Sequence, residues 1–219
     1  PHNPMRAQET DRKNLPDDKL GHHLGEIVGI DRSMGMLRQG LRKLGIEKDT
    51  LLWYCSDNGG LDIDPDACGP LRGHKGSVFE GGIRVPCVVV WPDVTKPGSR
   101  SDEIIQTSDF YTTILRQLQI PLPKNHVVDG IDITPALQGN ALDRECIITY
   151  FPHSPPVPDW LPPSMAVHAG DWKLIRLFHQ GPNGAHDYLL YNLAEDIGET
   201  RNLAASYPEK VAQLDRMIE

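Results

Sequence analysis

Apolar side chains at Leu20, Leu24, Ile27, Met34, Leu37, Leu41 and Leu44 recur at steps of three, four or seven residues. That spacing places them on one stripe of an α-helix. Asp17 and Asp18 suit its first turn, Arg42 and Lys43 its last, and Gly45 its stop, so a long amphipathic helix is predicted from Asp17 to about Leu44. The next run, Leu51-Leu52-Trp53-Tyr54-Cys55, is continuously apolar and reads as a buried strand. A Gly-rich stretch over 59–83 has no period of its own, and a loop this long in a compact domain is usually functional or disordered. Val85 to Trp91 is again nearly continuous and reads as a buried parallel strand. Thr107 or Ser108 can cap a helix running to about Gln119, with Phe110, Ile114, Leu115 and Leu118 inward, which Pro121 and Pro123 end.

The pattern changes near residue 143. Short strand-like segments at 146–151, 164–169, 172–178 and 187–193 are joined by turns, which predicts a small antiparallel sheet. A rigid proline-rich loop spans Pro152 to Pro163, and a last helix covers roughly Pro208 to Ile218. Two units are therefore expected: an α/β part over residues 1–143 and an α+β appendage over 144–219.

Composition adds exclusions. The chain has 219 residues and a net charge of −8, which disfavours nucleic acid or an anionic membrane as partner. No apolar run approaches the ~20 residues of a spanning helix. The four cysteines, Cys55, Cys68, Cys87 and Cys146, contain no CxxC pair and suggest neither a zinc site nor a disulfide framework. Cys55 and Cys87 lie within strand patterns, where a buried free thiol is expected. The start, Pro1-His2-Asn3-Pro4, reads as a chain beginning partway through a longer protein.

The first candidate chemistry is where the apolar run stops at Ser56-Asp57-Asn58-Gly59-Gly60. Open α/β sheets bind ligands at the carboxyl ends of their strands. Asp and Asn offer oxygen ligands suited to a hard divalent cation, although a plain Asx turn uses the same residues. Lys75 lies between Gly73 and Gly76, whose missing side chains let backbone approach a ligand while the ammonium meets an anion. A lone Lys is more often a solvated surface charge, and a lone His2 between prolines carries no signal.

Taken in order, these segments resemble the sulfatase family, the type I sulfuric ester hydrolases of the alkaline-phosphatase-like superfamily. The resemblance runs through Pro-His-Asn-Pro, the long helix, Ser56-Asp57-Asn58-Gly59, Arg72-Gly73-His74-Lys75 and Glu80-Gly81-Gly82-Ile83-Arg84-Val85-Pro86. It continues through Gln106 to Asp109, Asp129 to Asp132, Gly170 to Ile175, Leu190 to Leu193 and Asn202 to Ala204. The fold it implies is α/β, the C-terminal part of an alkaline-phosphatase-like mixed or parallel sheet between helices, plus the small antiparallel appendage.

By resemblance, Asp57 and Asn58 match two calcium ligands. Lys75 matches a lysine on a sulfate oxygen, and His2 a histidine touching the sulfate or the leaving oxygen, so both are catalytic and substrate-binding candidates. The implied reaction is hydrolysis of a sulfate monoester, with a lean towards sulfated sugars. The implied cofactors are Ca2+ and a formylglycine nucleophile made from Cys or Ser in a Cys/Ser-x-Pro/Ala-x-Arg motif. None of the four cysteines is read as that nucleophile. It is expected outside this chain, as are the first metal-binding aspartates, so inactivity of the chain alone is expected. The implied setting is periplasmic, secreted or lysosomal, and homo-oligomerisation is left open. The rivals are a related metal-dependent phosphatase or phosphodiesterase and a non-catalytic anion-binding fragment. Asp57 followed by Asn58 favours one hard cation over the two transition metals of the former. His153 and His168 are secondary candidates for lining a substrate pocket.

Overall fold

The computed structural model describes residues 4–61, 68–153 and 161–218. Helix α1 spans Lys19–Leu44. A side-chain oxygen of Asp18 accepts the Gly21 N–H at 2.9 Å, capping an otherwise orphan donor. Gly45 closes the helix at φ 70°, a left-handed conformation that only glycine adopts without penalty. The packing of α1 differs from the expected inward apolar stripe. Ile27, Val28, Met36 and Leu37 are exposed, and the buried positions are Gly21 and Gly25. These glycines let the preceding segment lie directly on the helix: a Cβ on Gly25 would sit 2.7 Å from that of Ala7. An Arg32–Asp11 ion pair holds the same segment.

Strands β1 (Leu52–Cys55) and β2 (Cys87–Val90) lie where the apolar runs predict them, but they pair antiparallel. They are also less buried than expected, Val88 and Val90 being 58% and 43% exposed. A parallel return needs a crossover, usually through a helix. Among the described residues between the strands, the only helix is the four-residue α2 (Glu80–Ile83), and the chain simply doubles back. Helix α3 (Ser108–Gln117) follows. Thr107 stands at its N-cap without a side-chain bond, and Asp109 of the first turn reaches back to accept the Gln106 N–H at 2.8 Å. Asp109 also accepts from the Ile131 backbone and from Arg144, tying α3 to the loop before α4 (Thr134–Leu137).

The C-terminal sheet matches expectation. Strands β3 (Ile147–Phe151), β4 (Ser164–Ala169), β5 (Trp172–Leu177) and β6 (Asp187–Asn192) form an antiparallel meander in that order. Successive side chains point to opposite faces. Ala166, Ile175 and Tyr191 pack on one face with Val78 and Phe79, whereas Val167, Leu174 and Leu190 pack on the other under Leu214 of α5 (Pro208–Asp215). The sheet is thus covered on one side by its own helix and on the other by the residues leading into α2.

Leu214 is 2% exposed at the centre of the second face. Leu214→Ala should lower stability by about 2–5 kcal/mol, from lost transfer energy plus the cavity left behind, read as a fall in the urea midpoint.

Candidate active site

Three glycines assemble the end of β1. Gly59 N–H donates to Gly82 O at 2.8 Å, and Gly81 N–H donates to Arg72 O at 2.7 Å. Backbones approach so closely that a Cβ on Gly59 would lie 1.7 Å from Gly81 O, and one on Gly81 2.2 Å from Gly73 O. A third bond, Lys75 N–H to Gly60 O at 2.8 Å, lays the lysine loop against the strand end. Gly73 and Gly76, at φ 75° and 89°, make the turns that admit it. The fold therefore brings Asp57, Asn58 and Lys75 into one neighbourhood, with Asp57 exposed and Asn58 and Lys75 half-buried.

His2 lies outside the described residues. His153 is exposed, its ring 6.1 Å from that of Phe151. His168 stands opposite Lys173 in the β4–β5 register and within reach of the Glu80 charge. Burial pushes its imidazole below the ordinary value, against the pull of the Glu80 charge. Two concave surfaces among the described residues lie elsewhere, one along α1 and one between Trp91 and α3.

Glu80, Lys173 and Glu199 form the buried charge cluster that sequence reasoning missed. Lys173 is wholly buried, with Nζ 2.8 Å from Glu80 Oε1 and 2.9 Å from Glu199 Oε1. The Glu80 N–H donates to Glu199 Oε2 at 2.7 Å. Burial opposes ionisation of Glu80, yet the Lys173 charge and hydrogen bond outweigh it and hold this carboxyl below its ordinary value. Glu199 goes the other way, because burial outweighs what Lys173 supplies. Arg72 completes the cluster, donating to Glu199 O at 2.8 Å and to the Tyr191 hydroxyl at 3.1 Å while lying over the Phe79 ring. A visible clue was Lys173 itself, a charge between Trp172 and Leu174-Ile175 at a position whose period faces the core.

Two further points bear on the chemistry. Asp57 and Asn58 are chemically suited to a hard cation, but among the described residues no three His, Cys, Asp or Glu side chains converge to hold one. Second, Cys68-Gly69-Pro70-Leu71-Arg72 does have the Cys-x-Pro-x-Arg spacing, which corrects the reading that no cysteine has Pro and Arg at those offsets. In the folded chain the Cys68 thiol faces Gly81 O at 3.3 Å, and Arg72 is committed to Glu199 and Tyr191.

The chain matches the Sulfatase family model over residues 1–120. It also matches the model for the C-terminal region of N-sulphoglucosamine sulphohydrolase over 74–219. It is similar to a sulfatase of Formosa agariphila, 34% identical over 172 residues, covering 76% of this chain and 31% of the relative. Human arylsulfatase A is 30% identical over 215 residues, covering 87% of this chain and 41% of the relative. The crystal structure of Ps i-CgsB in complex with k-i-k-neocarrahexaose matches with a TM-score of 0.85 at 25% identity, covering 100% of this chain and 47% of that one. The chain spans less than half the length of these relatives.

Two outcomes test the geometry. Gly59→Ala should cost about 1–3 kcal/mol or more, since its Cβ meets backbone that cannot step aside, and a urea midpoint unchanged from wild type would contradict the close approach. The cluster should also shape stability against pH. Glu80, held below its ordinary 4.5, stabilises above that value and loses its contribution as pH falls through its folded value. Glu199, raised above 4.5, favours the folded state most below that value and loses its contribution as pH rises through its folded value. Urea midpoints across pH 3–8 should show the acid-side loss diminished in Glu80→Gln and the neutral-side decline flattened in Glu199→Gln.

Proposed function

This chain belongs to the sulfatase family, and we propose that it carries part of a sulfate-monoester hydrolase site built on Asp57, Asn58 and Lys75, with His2 joining them. The observation that supports this is the backbone bond from Lys75 N–H to Gly60 O, which lays the lysine loop against the strand end that carries Asp57 and Asn58. Displacement at sulfur needs positive charge around the sulfate oxygens and at the departing oxygen. Lys75 answers the first need as a point charge, and a protonated His2 answers the second by giving its proton to the leaving oxygen. Asp57 and Asn58 would supply oxygens to a calcium ion, whose role is to neutralise sulfate charge.

The proposed substrate class is sulfated sugars. It is supported by relatives of which one is named N-acetylgalactosamine-6-sulfatase and another was crystallised with a neocarrahexaose. Residues 1–143 act in this reading as the catalytic part and 144–219 as its support. By itself the chain is inactive, because two side chains cannot meet the six to eight oxygens that calcium takes, and because Cys68 and Arg72 serve structural contacts.

Calorimetry with a sulfated monosaccharide should show weak binding that falls about tenfold or more in Lys75→Ala, in line with the ~1.5–3 kcal/mol of a hydrogen bond to a charged group. Equal binding by wild type and variant would remove Lys75 from the site. An aldehyde-reactive probe should leave Cys68 unlabelled, and 4-nitrophenyl sulfate should not be turned over. Labelling together with turnover would overturn the inactivity. Faster cleavage of a phosphate ester than of the sulfate would favour the phosphatase reading.

A further inference from the structure

Cys55 and Cys87 are register partners, directly opposite one another across β1 and β2. Opposed residues of an antiparallel pair project their side chains to the same face, with Cβ atoms ~4.5–5.5 Å apart. Their Cα separation is ~4.5 or ~5.5 Å depending on the kind of pair. Both values fall within the ~4.4–6.8 Å that a disulfide spans. Both cysteines are free thiols, Cys87 exposed and Cys55 half-buried, so the expectation of two buried thiols is corrected. Trp53, two residues before Cys55 on the same face, donates its indole N–H to Cys87 Sγ at 3.1 Å. Phe110 packs against Trp53 with centroids 3.7 Å apart and planes tilted by 39°, which holds the indole whose N–H meets the Cys87 sulfur.

We propose that Cys55 and Cys87 are a cross-strand disulfide site, oxidised by small-molecule disulfides such as glutathione disulfide. One cysteine thiolate attacks a glutathione sulfur, forming a mixed disulfide and releasing one glutathione thiolate. The other cysteine thiolate then displaces the second glutathione. In sum, two protein thiols are oxidised to one disulfide, and their two protons and two electrons pass to one glutathione disulfide, which leaves as two glutathione thiols. The loop so closed begins at the residue before Ser56-Asp57-Asn58 and ends just after Val85-Pro86. It therefore contains Lys75, the Glu80 turn and all the glycine contacts that assemble the strand end. Its effect is to staple a two-stranded pair that is open on one face, and to limit the unfolded freedom of the segment that forms the site.

The test uses the whole chain, first fully reduced, then equilibrated with glutathione disulfide. Titratable thiols in denaturant should fall from four to two, and peptide mapping should find the Cys55 peptide joined to the Cys87 peptide within one molecule. The thermal midpoint of the oxidised chain should exceed that of the reduced chain by several degrees. Cys87→Ser should abolish both the linked peptide and the shift. Because the wild-type mapping stands alone, a poorly folding variant does not decide the matter. Four thiols remaining, glutathione adducts without an intramolecular link, or a link to Cys68, to Cys146 or between molecules would each overturn the proposal.

Discussion

The structure turns on one buried lysine. Lys173 Nζ lies between Glu80 and Glu199 with no exposure to water, so three charges give up hydration together. Such burial is tolerated only where each charge is met by partners, and removal of one partner from a buried pair typically costs about 3–5 kcal/mol. The remaining polar capacity is largely taken up: Glu199 also accepts the Glu80 N–H, and the Glu199 carbonyl accepts from Arg72. What the cluster secures is position. Glu80 opens α2, and the next two residues are the glycines that receive Gly59 and the Arg72 loop. A charge on β5 of the C-terminal sheet thereby fixes where the end of β1 and Lys75 can lie.

That dependence explains the two kinds of glycine in this chain. Gly73 and Gly76 are used for conformation, at positive φ. Gly59, Gly81 and Gly82 are used for their lack of a side chain, because each of their hypothetical Cβ atoms would fall within 2.2 Å of a neighbouring backbone oxygen. A Gly-rich stretch is commonly taken to be pliable. Here Gly59, Gly81 and Gly82 pack main chain against main chain, and their composition marks contact distance more than freedom.

Much of the secondary structure was legible because it is governed locally. The three- and four-residue steps of α1, its stop at Gly45, and the four short C-terminal strands were all predicted to within a few residues, while Asp18, expected in the first turn, caps it instead. The family order of motifs singled out Asp57, Asn58 and Lys75, and the backbone bond from Lys75 to Gly60 joins the two segments that carry them. What the sequence did not disclose is non-local. The direction of β2 depends on how 31 intervening residues return, and an apolar run reads alike whether the strand is parallel or antiparallel. Glu80 and Lys173 are 93 residues apart and Glu80 and Glu199 are 119 apart, so their partnership leaves no periodic trace. Arg72 shares a short motif with Lys75, yet the fold commits it to Glu199 and Tyr191, 127 and 119 residues away.

Order in the chain is therefore asymmetric. The C-terminal sheet has apolar cover on both faces and meets its own helix, which is what independent sheet stability requires. The β1–β2 pair has two strands, with Tyr54, Val88 and Val90 facing solvent, and a pair of that size is marginal by itself. Site residues at the end of β1 consequently borrow their order from the C-terminal sheet through Val78, Phe79 and the Glu80–Lys173–Glu199 cluster. Local unfolding should follow the same gradient, opening first at the strand pair and last in β4 to β6, since opening free energies track buried apolar contact. The C-terminal sheet, which bears none of Asp57, Asn58 and Lys75, is then the part on which their geometry rests.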